Sequence, residues 1–115
     1  MPHAISAEAE PPLRCMHDDL ECMAAQRINA VVARCPSFIE QGSRYKFRWL
    51  EATPAKRFSH VRWTREPGGD ITYIGDQIEY QNAFGTYVQM TYECDLSIES
   101  LKLVDVRARE GRLPR

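Results

Sequence analysis

Four cysteines and three histidines are the side chains here with the widest chemical repertoire, and their spacing limits what they can do. Cys15, His17 and Cys22 are three potential zinc ligands within a short stretch, and zinc takes thiolate and imidazole together. The compact Cys-x2-4-Cys knuckle that gives such sites their specificity is missing, so no metal is expected and the cysteines read first as disulfide partners. His60 is a potential general base, but no Ser or Cys nucleophile is specifically spaced with it, and His3 and His17 lie in or beside the start of the chain. Asp18 and Asp19 resemble a carboxylate pair, yet Asp18 with Glu21 matches a capping box, which gives Asp18 a structural role. The glycines fall at turns and form no phosphate-binding loop, so neither an enzyme nor a cofactor is expected.

Those residues need a scaffold, and the apolar pattern supplies it. From Leu20 the positions Ala24, Ile28, Val31 and Cys35 recur at helical spacing, so one amphipathic helix should begin after the Asp18 cap and stop before Pro36. Gln26, Asn29 and Arg34 form its solvent side. Beyond it, Tyr45, Phe47 and Trp49 alternate with Lys46 and Arg48 as in a strand, and Thr53-Pro54-Ala55-Lys56 breaks the run. Arg57 to Arg65 reads as a second strand before the turn Glu66-Pro67-Gly68-Gly69-Asp70. Ile71 and Tyr73 share one parity while Ile78 and Tyr80 share the other, which fits a β-bulge at Gly75-Asp76 better than a short hairpin there. Thr86 to Cys94 and Leu101 to Arg109 complete the series. The expected class is α+β: one helix packed on an antiparallel meander of four to five strands, because the linkers are too short for parallel crossovers.

With 115 residues and 43% hydrophobic content, the chain has room for a single domain, read as residues 18–115 behind a flexible leader over 1–17. Helical and strand periodicity place the cysteines differently. Cys35 lies on the buried stripe and Cys94 on the buried strand face, whereas Cys22 sits about 140 degrees around the helix from Cys35. That geometry favours Cys35 with Cys94 and Cys15 with Cys22, leaving Cys22–Cys94 pairings and free thiols as alternatives. Paired cysteines in so small a chain suit an oxidising compartment. No basic start followed by an apolar stretch opens the sequence. The chain is then either cytosolic or the mature part of an exported protein, periplasmic or secreted, whose signal has been removed. No stretch is long and apolar enough for a membrane-spanning helix.

The formal net charge is −1, yet residues 44 to 65 hold seven Lys and Arg against Glu51 alone. If the first two strands pair, Lys46, Arg48, Arg57 and Arg62 form a basic field with aromatic neighbours that could take a polyanion. A solvated outer face with scattered ion pairs is the plainer reading, so nucleic acid is not the expected partner. The second candidate surface is Gln81-Asn82-Ala83-Phe84-Gly85, where Asn82 and the glycine are turn chemistry and Phe84 is expected to plug the core.

The stretch Tyr73-Ile74-Gly75-Asp76, the turn Gln81-Asn82-Ala83-Phe84-Gly85, the strand Tyr92-Glu93-Cys94-Asp95 and the closing Val104-Asp105-Val106-Arg107 with Gly111-Arg112-Leu113-Pro114 together resemble a group of small exported proteobacterial proteins of unknown function. The resemblance spans roughly residues 20 to 114 and is most specific in the Gln-Asn-x-Phe-Gly turn and the Tyr-x-Cys strand. It implies an export signal, one cysteine near the first helix and another in a late strand, and it brings no activity, cofactor or catalytic residue. The functional expectation is a non-enzymatic binding module of the bacterial envelope that contacts a protein or envelope component through its sheet surface or the Asn82 turn. The alternative is a cytosolic polyanion binder using segment 44–65.

Overall fold

The computed structural model describes residues 14–114. Most of the leader expected over 1–17, with His3, lies outside the described residues. Two helices stand where the sequence suggests one: α1, Leu20–Gln26, and α2, Ile28–Gln41. Asp19, not Asp18, is the cap, its Oδ1 accepting from the Cys22 amide at 3.2 Å. The helices part at Arg27, where the backbone leaves helical geometry (φ −106°, ψ 8°). The buried Tyr73 hydroxyl donates to the Ala24 carbonyl at 2.6 Å. An unbroken helix would direct the Ile28 amide to that oxygen, so the break leaves it open to the tyrosine and satisfies a polar group that burial would otherwise penalise.

Pro36 does not end the helix as expected. It sits inside α2, and the apolar stripe continues from Val31 and Cys35 to Ile39, all buried. A helix-interior proline costs about 3 kcal/mol through its missing amide and its ring clash. Here burial on both sides of it, at Cys35 and Ile39, offsets that cost, and the helix runs on to Gly42. A Cβ at Gly42 would collide with the Tyr80 hydroxyl, which bonds the Ile39 carbonyl at the helix end.

The sheet has five antiparallel strands: β1, Phe47–Trp49; β2, His60–Trp63; β3, Ile71–Gln81; β4, Tyr87–Leu96; and β5, Leu103–Glu110. The α+β class and the antiparallel sheet are as expected, with one change in topology. β1 and β2 do not pair with each other; both pair with β3, β2 along its first half and β1 along its last residues. The expected second strand is shortened because Pro54–Arg57 turns as a 3-10 helix. The bulge expected at Gly75-Asp76 is present, with the β3–β4 register shifting between Gly75 and Ile78. Gly75 is required there, since a Cβ would run into the Arg57 carbonyl that crosses over it.

The bulge keeps Ile71, Tyr73, Ile78 and Tyr80 on one sheet face, with Tyr92, Cys94 and Leu96 of β4 beside them. α1 and α2 cover that face and bury it with Met23, Ala24, Ala30, Val31, Cys35 and Ile39. Trp49 and Phe58 pack edge-on against Tyr92, each with ring centroids 5.7 Å away. Cys35 is bonded to Cys94 and Cys15 to Cys22, the pairing favoured by periodicity.

The closed loops differ in length, with sequence separations of 59 and 7. Loop-closure entropy then assigns about 4 kcal/mol to Cys35–Cys94 and about 2 kcal/mol to Cys15–Cys22. Replacing both members of each pair by Ala and measuring urea unfolding should therefore show the larger loss for the 35/94 double variant. Equal losses would mean that loop closure does not govern their contributions.

Candidate functional site

The loop from β3 to β4 is organised by one side chain. Asn82 Oδ1 accepts from the amides of Phe84 at 2.9 Å and Thr86 at 3.0 Å. The Asn82 backbone closes the loop through bonds to Gly85 and Thr86. Gly85 takes φ +85°, a left-handed conformation that glycine adopts without strain. Because the loop satisfies its own backbone, it needs no apolar plug. Phe84, expected to be buried, is 93% exposed at the tip.

The segment before β1 meets this same end of the sheet. Lys46 O accepts from the Gln81 amide at 2.8 Å and from Ser43 Oγ at 2.9 Å. A groove of about 300 Å³ results, with Arg44 and Tyr45 on one side and Gln81, Asn82 and Ala83 on the other. Tyr45 and Phe47 are exposed here as well. Among the described residues the Lys46 ammonium has no ion pair.

The other basic candidates are not gathered into a field, because the pairing of β1 with β2 that would have joined them does not occur. Arg48 bonds Glu79 at 2.5 Å and lies over the Tyr87 ring, 4.0 Å from its centroid. Arg57 stacks 4.1 Å over Trp49 and donates to the Glu51 carbonyl. Arg62 pairs with Glu93 at 3.1 Å. These three cations are engaged within the chain; of the predicted set, Lys46, Asn82 and Phe84 share the hairpin end with Arg48, which lies over Tyr87, while Arg57 and Arg62 lie elsewhere.

The solvent face of the sheet carries an ionic network that the sequence reading missed. Arg107 binds Glu93 at 2.6 Å, Asp95 at 2.9 Å and Asp105 at 2.8 Å, while Arg62 and Arg109 also reach Glu93. Thr72, opposite Asp95 on β3, donates to it at 2.6 Å. Burial would raise the Glu93 and Asp95 carboxyls, but the hydrogen bonds and charge of Arg107, joined by Arg109 and Arg62 at Glu93 and by Thr72 and Arg62 at Asp95, outweigh it and hold both below the usual carboxylate range. The same carboxylates push the Arg107 guanidinium up. Period-two alternation already places Glu93 on this face. Its partners become visible only once the β4–β5 register pairs Glu93 with Arg107.

His60 is exposed, and its Nδ1 lies 2.8 Å from Ser59 Oγ, a contact between neighbours in sequence. Asp76 lines the same groove, but its two carboxylate oxygens already accept from Gln77 Nε2 and the Leu113 amide. Among the described residues no carboxylate is hydrogen-bonded to the imidazole to complete a triad. With Cys15 and Cys22 joined, neither sulfur is a free thiolate for the zinc considered beside His17.

Comparison with family models, with curated proteins and with solved structures returns no match.

The network makes a signed prediction about pH. Carboxyls whose folded pKa is depressed contribute stability above their unfolded pKa, about 4, and lose it as pH falls through the folded value. Urea unfolding between pH 7 and pH 2 should show stability declining in the acid range, and Arg107→Met should flatten that decline. An unchanged acid slope in the variant would show that the Arg107 contacts do not set these carboxyls.

Proposed function

We propose that this protein is an exported, non-catalytic binding module of the bacterial envelope, periplasmic or secreted, that grips a protein or envelope component through its aromatic hairpin end. Two disulfides suit an oxidising, extracytoplasmic setting. No helix among the described residues is long and apolar enough to cross a membrane. The resemblance to small exported proteobacterial proteins, carried by the Gln81 to Gly85 turn and the Tyr92-Glu93-Cys94 strand, supports the same setting.

The observation that carries the proposal is Phe84. A phenylalanine 93% exposed on a loop fixed by Asn82 contributes nothing to the core, and its large apolar ring is costly to leave in water. Aromatic side chains on rigid mounts are the usual energetic centres of protein interfaces. Tyr45 and Phe47 extend the apolar surface, while Arg44 and Lys46 favour a partner with acidic groups around an apolar recess. The polyanion alternative draws less support, since binding across segment 44–65 would first have to release Arg48, Arg57 and Arg62 from their own partners.

A photo-reactive phenylalanine analogue placed at position 84, and separately at exposed Lys56, tests the reading in intact cells. Covalent adducts should form from position 84 and not from 56, and Phe84→Ser should abolish binding to the adduct partner while changing stability by less than about 0.5 kcal/mol. Equal yields from the two positions, or none from 84, would contradict the assignment.

A further inference from the structure

The second surface of interest is the far edge of the sheet. Among the described residues β5 pairs only with β4, so its other side ends the strand order. The Gly111 amide donates to the Gln89 carbonyl of β4 at 2.9 Å. Backbone groups alternate along a strand, so the odd residues from 105 to 111 face β4, and Val106, Ala108 and Glu110 turn their amides and carbonyls outward. Among the described residues nothing pairs with those groups in the sheet, and a row of this kind is a template for another strand.

The neighbourhood of this edge is apolar where it meets α2. Phe38 and Val104 are exposed, and with Leu103 and Val106 they line a shallow groove of about 310 Å³. The opposite face of the strand is charged in an ordered sequence: Asp105, Arg107 and Arg109 project on the solvent side, where Asp105 and Arg107 touch.

We infer that β5 pairs antiparallel with β5 of a second copy of this chain, about a twofold axis at Val106, to form a continuous ten-stranded sheet. The choice of partner and register comes from charge. Outward-facing groups must meet outward-facing groups, so the pairing can slide only in steps that keep even residues opposite even residues. With Val106 opposite Val106 of the second copy, Asp105 stands opposite Arg107 on both sides of the axis; beyond Asp105 the strand is irregular at Val104, which bounds the paired stretch there. One step in one direction sets Arg107 against itself, although Asp105 then meets Arg109, and one step in the other sets Asp105 against itself. Like charges directly opposite are destabilising and opposite charges stabilising, so of these three registers the one centred on Val106 is favoured, having opposite charges paired and no like charges opposed. The two-for-one contact pattern, residue i with j and j with i, is that of a closed twofold dimer. This edge is distinct from the Phe84 end, so the pairing leaves the proposed binding surface free.

Sedimentation equilibrium of the full oxidised chain at low salt should show a dimer growing with concentration, with a dissociation constant in the micromolar range. Asp105→Lys should weaken it at least about fivefold, because two attractive cross-strand pairs become repulsive. Arg107 keeps Glu93 and Asp95 in that variant, so the fold is retained, and circular dichroism checks this. Geometry gives a second readout. Residue 106 faces its own copy with Cα atoms about 5.5 Å apart, within disulfide reach. Val106→Cys should therefore form a reducible cross-linked dimer under mild oxidation, whereas Arg109→Cys should not. A chain that stays monomeric up to about 500 µM, well above micromolar affinity, would overturn the inference. So would a dimer indifferent to Asp105→Lys, or cross-linking at 109 equal to that at 106.

Discussion

The Cys35–Cys94 bond joins the middle of α2 to the penultimate strand, and the rest of the fold is arranged around that join. Both residues are fully buried, and the 59-residue span between them contains both edge strands of one side and the whole of β3. A domain of this size buries a limited core, so a covalent tie across a long loop supplies a substantial part of its stability. It also explains how α2 tolerates Pro36 beside Cys35: the helix is held against the sheet at the point where its own ladder is weakest.

The tyrosines around the disulfide impose a second condition. Tyr73, Tyr80 and Tyr92 present large rings to the core, and each hydroxyl must find an acceptor once buried. Each finds a backbone carbonyl where regular structure stops: Ala24 at the break between helices, Ile39 at the end of α2, and Arg57 at the end of the 3-10 turn. Burial pushes all three hydroxyls up, which keeps them protonated as donors. The helix break, the helix terminus and the return of the chain toward β2 are thus fixed by three side chains of the sheet.

Local periodicity was enough to read the class, the strand faces, the bulge at Gly75 and the cysteine pairing, because each depends on which way a residue points. What it could not show depends on partners distant in sequence. The split at Arg27 follows from a hydroxyl 49 positions away from Ala24, and the helix passes Pro36 because Ile39 and Cys94 secure it from both sides. Lys46, Arg48, Arg57 and Arg62 formed a plausible field in sequence, but β1 and β2 take separate halves of β3 and their arginines find separate partners. Phe84 was misplaced for a related reason: residue type favours burial, whereas the Asn82 side chain completes the loop without it.

A tied core with a self-contained hairpin suits a protein that must stay folded outside the cytoplasm while presenting a rigid aromatic tip. The account depends on the disulfides being formed where the protein works, since a reduced chain would lose the join between α2 and β4. The most direct measurement is the mass of the protein from its native cells after acid quenching and alkylation of free thiols without reductant. We expect a chain in the exported fraction with no alkyl group on any of its four cysteines. A cytosolic chain alkylated at Cys35 and Cys94 would contradict the account at its centre.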